Sequence, residues 1–451
     1  MRGSLMKMLK TFLLIIISTL LLASCGQKAS DENTTTALDP LKQELARKIL
    51  ADESLKDVMA RSREIIKTGF NAGDGYGQVW IRDLATFVEI SCEVYDQKEI
   101  RARLETFFLF QGDDGNIIDG YAPKDKAHGG DPNLITTDLA PGMYAHKNTV
   151  ETDQESSLIH TIHTYITVSG DREFLNLDIH GKTVLDRMEW ALQFLLNERL
   201  SAEHGLIWGA TTADWGDVQP ENGWGVDMNE HTALAVDIYD NAMFMVAIDN
   251  FLDYIDDSSE REANWRAVHA SLKENARKHL WDAGHQKFRP HVYLDKSPYS
   301  DALDEDAIWY HGGTAIAILA GILTHDEIAA TLEGMVDNVK ESGAGSIGLT
   351  VYPPYPEVEF PNMKPYHYQN GGDWTWFGGR LIHALVLNGF YEEAYRELKP
   401  MIERVIVNDG FYEWYSVDNE PRGSGTFRGS AGVLGKAVMM LTDWAEENTG
   451  E

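Results

Sequence analysis

Cysteine and basic residues are scarce in this sequence. Only Cys25 and Cys92 occur among its 451 residues, so the sequence predicts a fold that is held together without disulfides. Lysine and arginine together number 39 against 71 aspartate and glutamate residues, which gives a formal net charge of -32 at pH 7. Because a surface of that charge repels a phosphate backbone, nucleic acid is excluded as a partner.

Several motifs of catalytic chemistry are also missing. The chain contains no Gly-rich phosphate loop, no Gly-x-Ser-x-Gly nucleophile motif and no His-Glu-x-x-His metal motif. His160 and His163 form an i, i+3 pair at helical spacing, but the sequence indicates no further ligands for a zinc site. The sequence therefore predicts neither a metal nor a cofactor.

The N-terminus predicts export. Basic residues precede the apolar run 12–22, and small residues then lead directly to Cys25. This pattern is typical of a bacterial lipoprotein signal, so we expect residues 1–25 to be the signal segment with Cys25 as the lipidated residue. The polar stretch 26–39 lacks periodicity and predicts a flexible tether. The sequence therefore predicts a lipid-anchored protein of the cell envelope, on the periplasmic or outer-membrane face of a Gram-negative cell.

The remaining chain, 40–451, predicts one all-α domain. Apolar residues recur at helical spacing, with no change in composition that would mark a second domain. Long loops rich in Gly, Trp, Asp and Asn separate these segments, and such loops usually carry function. An (α/α)6 toroid of six helical hairpins fits this pattern, and a helical solenoid is the alternative. Helices are predicted near 41–67, 83–96, 97–110, 154–168, 182–199, 232–255, 263–280, 307–323, 326–339, 380–388, 391–407 and 430–446.

The segment 368–380 predicts the floor of a carbohydrate site. It reads Tyr-Gln-Asn-Gly-Gly-Asp-Trp-Thr-Trp-Phe-Gly-Gly-Arg and precedes an apolar helical run. Indole faces stack on sugar rings, while amides and carboxylates bond to hydroxyl groups. The residues predicted to bind substrate here are Gln369, Asn370, Asp373 and Trp374.

Two polar segments precede predicted helices in the first half of the chain. In 78–84, Trp80, Arg82 and Asp83 are candidates to bind the hydroxyl groups of a terminal sugar, although Asp83 also fits a simple helix N-cap. In 148–155, Asp153 is a candidate ligand, although acidic residues in a first helical turn also favour the helix dipole without any function.

A third segment, Asp214-Trp215-Gly216-Asp217, predicts the general acid. A carboxyl group held against an indole ring loses solvation, which raises its pKa and favours the protonated form that an acid catalyst needs. We predict Asp217 as the acid, with Asp214 as the alternative and Trp215 as part of the binding surface.

The fourth segment, 411–415, places Glu413 among aromatic residues. A partly exposed strand residue would look the same. As a catalytic base, Glu413 would stand beside Trp414, and Arg428 would keep it ionised. An acid and a base of this kind are the two carboxyl groups of an inverting glycoside hydrolase.

In this order the segments resemble those of the six-hairpin glycosidases, among them the alkaline/neutral invertases. The segment 79–84, Val-Trp-Ile-Arg-Asp-Leu, is similar to their Val-Phe-Ile-Arg-Asp-Phe, and 369–374 is similar to their His-Asn-Gly-Gly-x-Trp. Asp214 to Asp217 resembles the Asp-Trp-Asn-Asp motif of cellobiose and chitobiose phosphorylases, whose second Asp is the acid. The resemblance implies an (α/α)6 toroid, an inverting and exo-acting hydrolase, and no cofactor. Gln369 stands where the invertases have His, so sucrose is not the predicted substrate.

The expected function is hydrolysis of oligosaccharides at the cell envelope. Three alternatives use the same toroid: a phosphorylase with Arg422 and Arg428 as candidate cations for phosphate, a lyase with a Tyr or His base, and a glycan-binding lipoprotein without turnover. The identity of the sugar depends on loop conformation, which a sequence pattern does not reach.

Overall fold

The computed structural model describes residues 40–126, 134–221, 225–256 and 258–449. The predicted signal segment 1–25 with Cys25 and the tether 26–39 lie outside these residues and stay predictions. Within the described residues, no helix combines the length and the apolar composition needed to cross a bilayer.

Helices dominate the described part of the chain, as the sequence predicts. Thirteen α-helices follow one another there: α1 (Pro40–Leu50), α2 (Glu53–Ile66), α3 (Ile81–Val94), α4 (Gln97–Leu109), α5 (Gln154–Ser169), α6 (Val184–Glu198), α7 (Ile238–Leu252), α8 (Glu260–His279), α9 (His311–Leu319), α10 (His325–Ser342), α11 (Thr375–Leu387), α12 (Tyr391–Val407) and α13 (Arg428–Asn448).

Every second helix belongs to a closed inner ring. Helices α3, α5, α7, α9, α11 and α13 each contact the next in this order, and α13 contacts α3, which closes the ring. The helices between them, from α2 to α12, form the outer layer, and α1 packs on α13. The predicted (α/α)6 toroid is therefore confirmed. The solenoid alternative is wrong, because the last helix of a solenoid does not return to the first.

Sequence composition explains which helices lie inside. In α7, 13 of the 15 residues are buried, and its apolar residues cover all sides. In α8, only Glu262, Trp265, Leu272 and Ala276 of 20 residues are buried, because charged residues fill the rest of its surface. A helix that is apolar all round is stable only inside a protein, whereas an amphipathic helix covers a core from outside.

The helix ends differ from the prediction by several residues in places, and two of these differences change the arrangement. The predicted helix 41–67 is interrupted after Leu50, where the Asp52 side chain accepts a hydrogen bond from the Ser54 N–H (3.0 Å) and caps α2. Helix α11 begins at Thr375, five residues earlier than predicted. Its first turns contain Gly378 and Gly379, which sequence reasoning assigned to a loop.

Close packing explains those two helical glycines. A Cβ on Gly378 would lie 2.5 Å from Met401 Sδ, and a Cβ on Gly379 would lie 2.6 Å from Val433. Glycine is unfavourable inside a helix, but here it lets α11 approach both α12 and α13.

Fourteen short strands lie in the described loops: β1 (Val79–Trp80), β2 (Gly120–Pro123), β3 (Met143–His146), β4 (Asp178–Ile179), β5 (Lys182–Thr183), β6 (Gly209–Ala210), β7 (Leu234–Val236), β8 (Trp281–Asp282), β9 (Lys287–Phe288), β10 (Val292–Tyr293), β11 (Trp309–Tyr310), β12 (Val351–Tyr352), β13 (Trp414–Tyr415) and β14 (Pro421–Arg422). They pair antiparallel as β1-β2-β3, β10-β7-β6 and four two-stranded ribbons. Several of them lie directly before an inner helix and so fix the loops at one end of the ring.

Candidate active site

A cavity of about 350 Å³ lies where the loops meet the N-terminal ends of the inner helices. Eight of the predicted site residues line it: Trp80, Arg82, Asp83, Trp215, Asp217, Gln369, Trp374 and Glu413. Ten further residues complete the lining: Tyr76, Asp119, His146, Lys147, Asn148, Glu151, Val226, Tyr368, Trp376 and Phe427. Seven of the ten lie inside or close beside a segment that the sequence analysis singled out, and that position is the one signal that could have found them.

Five of the six inner helices present N-termini without local caps to this end of the ring, and the sixth, α7, is capped by Asp237. At the N-cap positions of α3, α5, α9, α11 and α13, no side chain accepts a hydrogen bond from its own first turn. The N-cap of α3 is Trp80, so Asp83 lies inside the first turn and is not the cap. Backbone N–H groups at such helix ends need partners from other segments.

Asp214 is one of those partners. It is 1% exposed, and its carboxylate accepts hydrogen bonds from the N–H groups of Gly312 (2.6 Å) and Gly313 (2.8 Å) in the first turn of α9. Asp214 does not line the cavity. The alternative prediction, that Asp214 is the general acid, is therefore corrected, because both of its carboxylate oxygens already accept hydrogen bonds from the N-terminus of α9.

Arg82 lines the cavity, but its guanidinium is occupied by the protein. Its Nη1 atom bonds to Glu151 Oε1 (2.5 Å), its Nε atom to Asp153 Oδ2 (3.1 Å) and its Nη2 atom to the Trp215 carbonyl (2.6 Å). These three bonds join three segments beneath the cavity, and the expectation that Arg82 also holds sugar hydroxyl groups stays a prediction.

Three more predicted ligands are buried structural groups. Asp153 is 0% exposed and accepts from Arg82 and from the Tyr239 hydroxyl (2.7 Å). The Asn370 side chain bonds to both the N–H (2.8 Å) and the carbonyl (2.9 Å) of Tyr355. Asp373 forms a two-point ion pair with Arg404. Their predicted contact with substrate is corrected, because none of them lines the cavity.

Trp414 and Arg428 also lie outside the lining. Trp414 is 7% exposed and packs on the rings of His367 and Tyr368. The Arg428 guanidinium donates to Asn71 and to the Thr68 hydroxyl (2.6 Å), and it makes no ion pair with Glu413. The prediction that Arg428 keeps Glu413 ionised is corrected accordingly.

Asp217 occupies the cavity wall with an unsatisfied carboxylate oxygen. Its Oδ1 atom is buried without a hydrogen-bond partner, as is the Nε2 atom of the neighbouring Gln369. The Asp217 backbone N–H donates to Gln369 Oε1 (3.3 Å). Burial raises the pKa of Asp217, and the positive charge of Arg82 opposes that rise. The structure thus agrees with the raised pKa that the sequence predicts for this carboxyl group.

Glu413 is 4% exposed and has donors around it. The Tyr76 hydroxyl lies 3.0 Å from both Glu413 oxygens, and the Ser424 N–H donates to Oε2 (3.3 Å). Burial raises the pKa of Glu413, while the hydrogen bond from Tyr76 stabilises the ionised form and opposes the rise. Tyr76, which sequence reasoning missed, takes the role that was predicted for Arg428.

Indole rings form the apolar wall. The ring centroid of Trp215 lies 4.9 Å from that of Trp374 and 4.8 Å from that of Trp376. The Nε1 atoms of Trp215 and Trp376 are buried without partners. Such a wall combines apolar ring faces with unpaired donors, which suits a ligand that is apolar on one face and carries hydroxyl groups at its edge.

The cavity is rich in carboxyl groups. Besides Asp217 and Glu413 it contains Asp83, Asp119 and Glu151. Burial raises the pKa of Asp83 to about 8 and that of Asp119 to about 7. Near neutral pH Asp83 is therefore largely protonated and Asp119 is about half protonated, and in the protonated form each can donate a hydrogen bond.

The cations of the cavity are already paired. Arg82 bonds to two carboxylates, and Lys147 Nζ donates to Glu155 Oε1 (3.1 Å) and to the Ile117 carbonyl. Among its described residues, the cavity thus has no unpaired lysine or arginine to receive an anionic ligand. Across the described part of the chain, no three His, Cys, Asp or Glu side chains are placed to hold a metal ion together.

Replacing Asp83 by Asn is expected to stabilise the protein increasingly as pH rises. The Asp83 carboxyl has a pKa of about 8 in the fold and about 3.9 in the unfolded chain. Between these values the native state holds a proton that the unfolded state has lost, so wild-type stability falls as pH increases. Asn escapes that loss, and the difference in unfolding free energy between Asp83→Asn and wild type grows by at most about 1.4 kcal/mol per pH unit.

Urea unfolding at pH 4, 6, 8 and 9 measures this difference. Glu403→Gln on the exposed face of α12 is the control, because it changes no buried carboxyl group. A difference between Asp83→Asn and wild type that stays constant over the pH series would contradict the assignment of a proton to Asp83.

The described architecture is that of the six-hairpin (α/α)6 toroids, here with a carboxyl-rich, indole-walled cavity at one end of the ring. Solved structures with this fold include a GH63 mannosylglycerate hydrolase from Thermus thermophilus in complex with glucose, with a TM-score of 0.60 and 14% identity over 85% of this chain and 99% of that one. A rhamnosidase from Klebsiella oxytoca with rhamnose bound has a TM-score of 0.54 and 14% identity, over 85% of this chain and 63% of that one.

The likeness confirms the predicted resemblance to six-hairpin glycosidases at the level of the fold. No model of a known protein family matches the chain, and no curated protein sequence does. At 14% identity the shared fold does not by itself carry an activity, so an activity has to be inferred from the cavity.

Proposed function

We propose that this protein is a glycoside hydrolase of the inverting, exo-acting kind, with Asp217 as general acid and Glu413 as general base. The observation that carries the proposal is that these two carboxyl groups, far apart in sequence, line one cavity with an indole wall. Glycoside hydrolysis requires two carboxyl groups beside one sugar, one to protonate the leaving oxygen and one to activate water.

The surroundings of the two groups support this division of roles. Asp217 has a raised pKa and a carboxylate oxygen without a donor, which favours a proton on that group. Glu413 accepts hydrogen bonds from the Tyr76 hydroxyl and the Ser424 N–H, which favour its ionised form. A protonated Asp217 can give its proton to the glycosidic oxygen, while ionised Glu413 takes a proton from the attacking water.

The size of the cavity supports exo action. About 350 Å³ lies near the lower end of the range for small-ligand pockets, roughly 300–1,000 Å³. A cavity of this size takes a terminal sugar and the atoms of the bond to be cleaved. The structural neighbours named above hold glucose and rhamnose, which are ligands of a similar size.

The charge of the cavity indicates a neutral substrate. The lysine and arginine of the cavity are already paired with carboxylates, so no cation is left for an anionic group, and ionised Glu413 would repel one. A phosphorylase needs a cation for phosphate, and a lyase needs one for a uronate. Arg422 is exposed and Arg428 bonds to Asn71 and Thr68, so neither of the two candidate cations for phosphate faces the cavity.

We expect a neutral glycoside to be cleaved with a kcat/KM at least about a hundredfold higher than the corresponding uronide, because the uronate would meet ionised Glu413 without an unpaired cation to balance it, and juxtaposed like charges cost several kcal/mol. Raising the ionic strength is expected to narrow the ratio, since salt screens the repulsion. Matched aryl glucoside and glucuronide pairs, and equivalent pairs of other sugars, provide the measurement. A uronide that is cleaved as fast as its neutral partner would rule out a preference set by the charge of the cavity.

The predicted anchor at Cys25 adds a proposal on location. If Cys25 is lipidated, the enzyme acts at the cell envelope on oligosaccharides that reach it there. Membrane fractionation of wild type and Cys25→Ser tests this, since release of the protein into the soluble fraction by the substitution is the expected result.

Proton NMR tests the proposed reaction directly. The purified protein is incubated with a panel of neutral oligosaccharides, and the anomer that appears first is recorded. A released sugar of inverted configuration is the expected result. A product that retains configuration would refute the inverting mechanism, and saturable binding without release from any glycan would favour the glycan-binding alternative.

A further inference from the structure

A second cavity lies on the axis of the ring, on the side away from the loops that form the active site. Its volume is about 260 Å³, and each of the six inner helices contributes a residue to its lining. It opens beside Val168 and Leu387, which are 46% and 65% exposed near the C-terminal ends of α5 and α11. The His160 and His163 pair noted in the sequence belongs to this cavity.

Arg380 is the unexplained group of this cavity. It is 7% exposed, yet among the described residues no carboxylate lies within 4.0 Å of its guanidinium. Its one hydrogen-bond partner in that part of the chain is the sulfur of Met243, at 3.1 Å. Burying a charge without an opposite charge is costly, so a buried guanidinium normally pairs with an acid.

Two aromatic rings partly stabilise the buried charge of Arg380. The Cζ atom of Arg380 lies 5.1 Å from the ring centroid of Trp376 and 5.7 Å from that of Phe377. These cation–π contacts stabilise the charge of the guanidinium. They leave its remaining N–H groups for the cavity, where the planar fork matches two oxygens of an anion.

The other charged groups of the cavity are paired with each other. Lys436 and Glu89 both lie in the lining and form an ion pair (2.7 Å), so together they add no net charge. Burial, together with the charges of Lys436 and Arg380, lowers the pKa of His160 to about 3. The pKa of His383 is lowered in the same way. Both imidazoles are therefore neutral at physiological pH, and each still carries one N–H group.

The helix dipole does not explain these cations. Positive residues favour the last turn of a helix, and the effect fades beyond that turn. Arg380 is the sixth residue of α11, which ends at Leu387, and Lys436 is the ninth residue of α13, which ends at Asn448. Both stand well before the final turns.

We propose that this axial cavity binds a small oxyanion, such as phosphate, sulfate or a carboxylate, with Arg380 as its charged ligand. The site is distinct from the active-site cavity, which lies at the other end of the inner helices and contains no unpaired arginine or lysine among its described residues.

Titration calorimetry on the purified full-length protein tests the proposal, with inorganic phosphate, sulfate and acetate as separate probes. Each titration is made at constant ionic strength against sodium chloride. Saturable binding of at least one probe is expected, and Arg380→Met is expected to weaken it at least about tenfold, since a hydrogen-bonded charge is lost. Differences among the three probes identify whether a tetrahedral or a planar oxyanion is preferred.

Control variants locate the binding. Lys340→Met removes a positive charge from an exposed surface pair, and Asp217→Asn changes the active-site cavity; both are expected to bind the anion as wild type does. Should Arg380→Met fail to fold, Arg380→Lys keeps the charge but loses the planar fork, and weaker binding is still expected. Three results would each overturn the proposal. The first is unchanged anion binding in the folded Arg380 variants, and the second is that no probe binds more tightly than the sodium chloride control. The third is loss of anion binding in Asp217→Asn.

Discussion

Asp217→Asn is expected to lower kcat by about 10²- to 10⁴-fold on glycosides with a poor leaving group, the usual contribution of one general acid or base. The same variant is expected to retain most of its activity on a glycosyl fluoride, because fluoride departs without a proton. Glu413→Gln is expected to lose a similar factor on both substrates, since both need an activated water. Steady-state kinetics on the two substrate types separate the acid from the base.

Asp214→Asn is the matched control for this experiment. It carries the same substitution in the same loop, but Asp214 holds the N-terminus of α9 and does not line the cavity. Asp214→Asn is expected to affect stability. Any loss of activity in this variant is expected to be equal for the two leaving groups. Equal loss on both substrates in Asp217→Asn would show that Asp217 is not the acid.

Arg404→Met is expected to destabilise the fold by about 3–5 kcal/mol, the usual cost of removing one partner from a buried ion pair. Arg404 and Asp373 have side-chain exposures of 3% and 1%, and the Nη2–Oδ2 distance is 2.5 Å. Without the guanidinium, the Asp373 carboxylate stays buried with only its Ser346 bonds. Chemical unfolding of wild type and variant measures the change in free energy.

Two further variants make this result specific. Lys340→Met breaks an exposed pair with Asp337, whose side chains are 69% and 57% exposed. It is expected to change stability by less than about 1 kcal/mol. Adding Asp373→Asn to Arg404→Met is expected to recover part of the loss, because the orphaned charge is then removed. No recovery in the double variant would indicate that shape, and not charge, made Arg404 necessary.

The pair of Arg404 and Asp373 also bears on function. The segment 368–380 suggested from sequence that Asp373 binds sugar, whereas the structure uses Asp373 to attach the loop to α12. Gln369, in the same segment, does line the cavity. A loop whose side chains line a cavity has to be held in place. In this segment Asp373 attaches the loop to α12, while its neighbour Gln369 lines the cavity.

The two ends of the ring have different charge. Paired cations and five carboxyl groups surround the proposed sugar site, while the axial cavity holds a buried arginine without a carboxylate partner among the described residues. Trp376 lies between them, because it lines the first cavity and contacts the guanidinium of Arg380. Arg380 would therefore be the one side chain between an anion bound in the axial cavity and the indole wall of the active-site cavity.

The sequence by itself determined the all-α class and the loops in which the polar and aromatic residues of the cavity lie, while the choice between a ring and a solenoid needed the contact of α13 with α3. Apolar residues at helical spacing specify buried and half-buried helices, and long loops rich in carboxylate and indole groups can only lie outside that core. Glu413 and Asp217 were found in this way, because an acidic residue among aromatic neighbours is visible in a short window of sequence.

The tertiary structure alone decided which polar side chain faces the cavity and which supports it. Asp214 and Asp217 stand close together in one loop, and in the sequence only the resemblance to the phosphorylase motif favours Asp217 over Asp214. Asp214 turns inward because Gly312 and Gly313, from another hairpin, offer it N–H groups. Loop side chains are oriented by such partners far away in sequence, and those partners come together only when the ring closes.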